Sequence, residues 1–235
     1  MLQHTTKIPM YCINLQRATE RKQLMEKYWV EGLGLDIVFW DAYDRRDVER
    51  GVYPYPYNSE LSLQTLGREL STGEIACSTS FANLYKHIIA NDIPEAIIME
   101  DDIVPTISDG SIIYDAIQRG KEEFPQAEMM MLYKAPPQYK QLSLSRIFHI
   151  RKENFSQCMQ SPKGNYLFYI TKKGVEILLD NILQIVKPAD HPADALAMQN
   201  KLIIINNPLC THDFSPQHST YIGNNNRNSS RLFIP

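Results

Sequence analysis

The stretch IPEAIIMEDDIVPT, residues 93–106, places three consecutive carboxylates, Glu100, Asp101 and Asp102, at the end of an apolar run. Like charges this close repel one another. Burying even one without a partner costs roughly several kcal/mol or forces it to take up a proton, so the cluster needs water or a cation. Mg²⁺ or Mn²⁺ is the natural compensator, because such hard ions take carboxylate oxygens together with the phosphate oxygens of a substrate. The plain alternative is a solvated strand end whose acids cap the next element. Position favours the cation: AIIME, residues 96–100, is apolar without alternation and reads as a strand buried on both faces. Open α/β sheets take their ligands at the carboxyl ends of such strands.

The flanking elements have the same rhythm. IPMYCINL, residues 8–15, is a strand, and residues 17–34 form a helix through Leu24, Tyr28 and Leu33 with a glycine at the end. DIVFWDAYD, residues 36–44, reads as a second strand that finishes in Asp41 and Asp44. In residues 45–70 three tyrosines and two prolines interrupt any period, which predicts a long surface excursion or a lid. Residues 71–92 form a capped helix, with Ser71 or Thr72 at capping-box distance from Glu74 or Ile75, and with a stripe of Ile75, Leu84, Ile88 and Ile89. Farther on, AEMMMLYK (127–134) is a buried strand and residues 140–155 alternate as paired antiparallel strands do. Residues 165–186 run from strand into helix, and residues 200–214 supply a last strand before an asparagine- and serine-rich tail at 222–235. The fold class is α/β: a mainly parallel mixed sheet flanked by helices, without internal repeat or linker, hence one domain over residues 1–235.

Composition sets outer bounds. With 43% hydrophobic residues the chain buries a full core, and a net charge of −3, from 24 basic and 27 acidic residues, provides no field to gather nucleic acid. Cys12, Cys77, Cys158 and Cys210 lack metal or disulfide spacing and read as buried free thiols of a reducing compartment. The first residues have no signal-peptide core, and no window approaches the roughly 18 apolar residues of a spanning helix. The expected location is the cytosol, either free or docked peripherally on the inner membrane from that side.

Four blocks then carry a resemblance: INLQRATERK, RELSTGEIACSTSF, AIIMEDDIVP, and GNYLFYITKKGVEILL followed by KPADHPADAL. Together they resemble glycosyltransferase family 25, the lipooligosaccharide galactosyltransferases to which collagen galactosyltransferases are related. The resemblance implies a GT-A type, Rossmann-like fold, with a nucleotide-sugar half over residues 1–106, an acceptor and catalytic half over 107–221, and a flexible tail. It implies transfer of a hexose, galactose from UDP-galactose, to a lipid-anchored glycan, with Mn²⁺ or Mg²⁺ as cofactor. The acidic triplet becomes the DxD-like motif, Asp102 binding metal and Glu100 lying near the ribose; Asp101 points to the other side if the strand persists. Asn14, Arg17, Arg21, Asp41 and Asp101 are expected donor contacts beside Glu100, the two arginines one helical turn apart. For Arg21 a solvated helix face shared with Glu20 is the competing expectation. Asp190 is the first choice for the base that takes the acceptor proton, ahead of Asp194 and His191. His212 is the expected metal or diphosphate contact near the C-terminus, ahead of His218 and Ser219. Glu74 reads as a cap, and Phe81 stands where the family commonly has histidine. The segment VYPYPYN, residues 52–58, suits stacking on acceptor sugars, or equally core packing.

Two other classes fit parts of this pattern. A metal-dependent nucleotide-sugar hydrolase or phosphodiesterase would turn over donor without acceptor, and an inactive nucleotide-sugar- or glycan-binding module would bind donor without transfer.

Overall fold

The computed structural model describes residues 8–133, 148–162 and 164–212. Ten strands are present there: β1 Met10–Asn14, β2 Ile37–Asp41, β3 Glu95–Glu100, β4 Ile103–Pro105, β5 Met129–Met131, β6 Phe148–Arg151, β7 Phe155–Cys158, β8 Leu167–Thr171, β9 Leu202–Ile205 and β10 Cys210–His212. Eight of them form one sheet in the order β2-β1-β3-β8-β5-β9-β7-β6, while β4 and β10 pair antiparallel at its rim. Following the pairings along the sheet, six strands run in one direction and only β8 and β7 are reversed. The sheet is therefore mixed and mainly parallel, as the sequence predicts.

Helices cover both faces. They are α1 Thr19–Met25, α2 Arg45–Glu49, α3 Ser59–Leu66, α4 Thr72–Ala90, α5 Ser111–Glu123, α6 Lys172–Asp180 and α7 Ala193–Met198. On one face, Phe81 of α4 packs on Phe168 of β8, with 6.4 Å between ring centroids. On the other, Gly120 of α5 lies against Met130 and Phe155. Met129, Met130 and Met131 are fully buried between these layers, which explains an all-apolar strand without alternation. The stripe of Ile113, Ala116, Ile117 and Gly120 gives α5, an element not expected from the sequence, one buried face at helical spacing.

The predicted cap of α4 is Ser71: its Oγ accepts the Glu74 N–H at 3.2 Å, and the Glu74 carboxylate accepts the Ser71 N–H at 2.9 Å. α1 continues into a π-helical turn, Glu26–Glu31, whose Trp29 is fully buried and donates its indole N–H to the Ile103 carbonyl at 3.2 Å. This wider turn ties the first helix to β4, just past the acidic triplet.

Residues 45–70 make the long excursion that the sequence predicts. The segment holds α2 and α3, and it is stitched to its surroundings by Asn58 N–H to Ile185 O at 3.1 Å, Ser62 Oγ to Val186 O at 2.6 Å and Tyr55 Oη to Asn83 Oδ1 at 2.7 Å. Of the tyrosines proposed for sugar stacking, Tyr55 is buried and Tyr57 receives the Leu70 N–H at 2.9 Å. Only Tyr53 is exposed. The strand expected over residues 200–214 divides into β9 and β10 at the Asn206–Leu209 turn region. His218, Ser219 and the tail at 222–235 lie outside the described residues, as do residues 140–147 of the alternating stretch; its remainder carries β6 and the start of β7, which pair antiparallel.

β8 passes into α6 without a loop, Thr171 serving as both last strand residue and N-cap, with its Oγ1 accepting the Gly174 N–H at 3.1 Å. The first turn of α6 therefore lies directly on the backbone of β5's approach. A Cβ at Gly174 would meet Glu128 O and Ile170 Cγ1, each at 2.8 Å, and a backbone oxygen cannot swing aside. Gly174→Ala should cost about 2 kcal/mol and lower Tm by roughly 4–8 °C, measured by thermal denaturation.

Candidate active site

β3 stops at Glu100, and Asp101 and Asp102 make the turn into β4. The strand does not persist, so Asp101 does not point to the opposite sheet face as the alternation of a continuing strand would require. β1 runs beside β3 with Ile13 opposite Glu100, which brings the next pair, Asn14 and Asp101, side by side. Asn14 Nδ2 donates to Asp101 Oδ2 at 2.7 Å and also to the Ala18 carbonyl at 3.4 Å. Arg21 Nη1 donates to Asp101 Oδ1 at 2.5 Å and lies 3.8 Å from Asp102. Arg21 is only 7% exposed, so it is not part of a solvated helix face. Both Asp101 oxygens are thus occupied by protein donors, and Asn14 is committed to holding the turn. Burial pushes the Asp101 pKa up and Arg21 opposes it, with a net rise.

Asp102 has a different setting. Its Oδ2 lies 3.2 Å from His212 Nε2, while Oδ1 is buried with no hydrogen-bond partner among the described residues. The antiparallel register of β10 on β4 produces this meeting, placing His212 opposite Ile103, the residue after Asp102. Glu100, half-buried in the same rim, is held well above the ordinary carboxylate pKa by burial first, then by the charges of Asp102, Asp101 and Asp190. Among the described residues no three His, Cys, Asp or Glu side chains form a ready metal cage. Asp102 and His212 nevertheless fit a cation of the Mn²⁺ or Mg²⁺ kind. Such ions are held by one or two protein ligands and complete their shell with substrate phosphates and water.

The triplet opens onto a cleft whose empty space, mouth included, is about 680 Å³. One wall is apolar, from Ile13, Leu15, Ala42, Tyr43, Ala76 and Phe81, and three guanidinium groups, Arg17, Arg21 and Arg45, border it. Arg17 sits in the turn before α1, so it and Arg21 are not successive turns of one helix. Its Nε donates to Asp44 at 2.7 Å. Arg45, the first residue of α2, was not anticipated; its ion pair to Glu49 is long at 3.8 Å, and its buried Nε has no hydrogen bond among the described residues. The signal was present in the basic pair Arg45-Arg46 directly after the rim of the second strand. Burial raises the Asp44 pKa, but hydrogen bonds from Arg17 and Arg46 outweigh it and hold that carboxyl well below the usual range.

Asp41 lies outside this lining: it is exposed and accepts a hydrogen bond from Gln16 at 3.0 Å, while Ala42 and Tyr43 reach the cleft in its place. Glu74 serves the helix cap, as read, and Arg68 adds two hydrogen bonds at 2.8 and 2.6 Å. Phe81 is fully buried and gives the cleft an apolar floor. All four cysteines are free, and Cys77 lines the cleft.

The three base candidates have different settings. Asp190 is half-buried beyond Glu100 and close enough for its charge to act on Glu100 and Cys77; its Oδ2 accepts the Gly164 N–H at 2.8 Å. Asp194 lies in the first turn of α7, where its Oδ1 accepts the Ser161 N–H at 2.8 Å, a loop anchor. His191 closes a turn with its N–H on the Pro188 carbonyl at 3.0 Å.

With this geometry in place, comparison with known proteins is informative. The sequence pattern of "Glycosyltransferase family 25 (LPS biosynthesis protein)" matches residues 7–196. Proteins described as "Glycosyltransferase 25 family member" from Anopheles gambiae and Aedes aegypti are 30% identical over 103 residues and 32% identical over 105 residues. Each alignment covers 40% of this chain and 16% of the relative, so the similarity spans about one sixth of those longer proteins. Among solved structures, mouse xyloside xylosyltransferase 1 in its apo form aligns at a TM-score of 0.42 and 9% identity, over 83% of each chain. A197 from STIV aligns at 0.38 and 9%, over 89% of this chain and 87% of that one. The match over residues 7–196 takes in the acid turn, the arginine-bordered cleft and Asp190, and the chain belongs to glycosyltransferase family 25.

Proposed function

We propose that the protein is a metal-dependent, inverting glycosyltransferase that moves a hexose, galactose from UDP-galactose, onto a lipooligosaccharide or related lipid-anchored glycan. One observation carries the reading: an Asp102 oxygen that is buried without a hydrogen-bond partner among the described residues, and the His212 ring, share a rim with three arginines around an apolar-walled cleft. Such a cleft suits a nucleoside diphosphate. The wall of Ile13, Leu15, Ala42 and Tyr43 accepts a nucleobase face, and Arg17, Arg21 and Arg45 offset diphosphate charge. Asp102 and His212 hold the cation, which when bound supplies Lewis-acid charge to oppose the negative charge that builds on the departing diphosphate. Glu100 faces the same cleft and suits a sugar or ribose hydroxyl. Asp190 takes the proton from the acceptor hydroxyl as that oxygen attacks the anomeric carbon from the face opposite the diphosphate. Its Oδ1 has no hydrogen bond among the described residues, which leaves an oxygen for that proton. Among the described residues no helix is long and apolar enough to cross a membrane.

Asp102→Ala should reduce Mn²⁺-dependent transfer by about 10²-fold or more and weaken Mn²⁺ binding in a calorimetric titration, with the fold intact by circular dichroism. Unchanged activity and Mn²⁺ affinity would show that the cation, if any, binds elsewhere. Asp190→Asn should keep donor affinity within about twofold and lower kcat by roughly 10²–10⁴-fold; retained turnover would move the base to another residue. UDP release across a panel of UDP-sugars, with and without saccharide acceptors, should depend on acceptor. Equal release without acceptor would mark a hydrolase.

A further inference from the structure

Building on Asp190 as the base, we propose that Gly164, Asn165 and Tyr166 form a strap that fixes the base against the acid turn, with Gly164 the positioning residue for Asp190. None of the three lines the cleft. Each holds a different part of the machinery. Gly164 donates its N–H to Asp190 Oδ2 at 2.8 Å, which orients that carboxyl. Its φ is +89°, a conformation that side chains rarely adopt, and a Cβ there would lie 2.9 Å from Tyr166 Cε2 and 3.4 Å from Tyr133 Oη. On its other side, the buried Tyr133 hydroxyl donates to the Gly164 carbonyl. Both peptide groups of Gly164 are therefore held.

Asn165, 3% exposed, donates Nδ2 to the carbonyl of Ala189 at 3.0 Å, pinning the backbone just before the base. Tyr166 reaches the acid turn twice. Its carbonyl accepts the Glu100 N–H at 3.0 Å, and its ring packs on His212 with centroids 5.3 Å apart. Three consecutive residues thus set the spacing between Asp190 and the Glu100–Asp102–His212 group. A surface loop does not need this set of contacts; a base that must stand at a fixed distance from a bound donor does.

The test uses the full chain with the UDP-sugar and saccharide pair that gives the fastest UDP release, and compares Gly164→Ala, Tyr133→Phe, Asp190→Asn and the double variant Gly164→Ala/Asp190→Asn. Gly164→Ala should lower kcat by roughly 10–100-fold while UDP affinity, measured by calorimetry, stays within about twofold, because a displacement near 1 Å suffices for such a loss. Tyr133→Phe, which keeps the ring, should lower kcat by about 3–10-fold for the same reason. In the Asp190→Asn background Gly164→Ala should cost nothing more, since its effect passes through the carboxylate. A full multiplicative loss in the double variant overturns the proposal, as does wild-type kcat in a folded Gly164→Ala. If Gly164→Ala does not fold, Tyr133→Phe decides: unchanged kcat there overturns the strap. Full turnover in Asp190→Asn instead sinks the base assignment itself, and the strap's purpose with it.

Discussion

Arg21 and Asp101 form the contact on which the rest of the site depends. Three carboxylates turn a corner within three residues, and at this depth unpaired like charges would either take protons or open the rim. One buried guanidinium, 2.5 Å from Asp101 and 3.8 Å from Asp102, sits between two of them, and Asn14 fills the remaining oxygen of Asp101. Removing one partner from a buried pair of this kind typically costs about 3–5 kcal/mol. The pairing also fixes geometry: it requires β1 beside β3 and Arg21 of α1 reaching the acid turn, with Trp29 of the following turn bonded to β4. One guanidinium cannot satisfy Asp102 as fully as Asp101: Asp102 Oδ1 is left buried without a hydrogen-bond partner among the described residues, and Glu100 beside it is pushed toward its neutral form by burial and by its acidic neighbours.

Parts of this arrangement were legible because they are local. The apolar run before Glu100, the Ser71–Glu74 capping box and the first two strands each carry their signal within about ten residues. Asp102 and His212 are 110 residues apart, and only the pairing of two three-residue strands, β4 and β10, brings them together. No periodicity in such short strands announces a partner. The family resemblance, rather than spacing, pointed to His212. Asp101 depends on a boundary that sequence places poorly: whether the strand ends at Glu100 or one residue later reverses the side chain's direction, and it ends at Glu100. The tyrosines of residues 52–58 look like a binding surface in sequence, but hydrogen bonds to Asn83 and Leu70 turn two of them into packing.

The reversed strand β8 accounts for the remaining geometry. A parallel strand in its place would begin at the far end of the sheet, and the residues just before it would lie at the rim opposite the acid turn. Because β8 runs antiparallel to β3, Leu167 pairs with Met99, and the three preceding residues arrive beside Glu100. The same reversal sends α6 away from the rim, since Thr171 starts it at the other end. The chain then returns, and α7 enters at the rim with Asp190 and Asp194 ahead of or within its first turn before descending to β9. An all-parallel sheet would supply strand ends and helix N-termini to a bound nucleotide. Reversing one interior strand adds a loop beside the acid turn, and it is this loop that reaches Asp190.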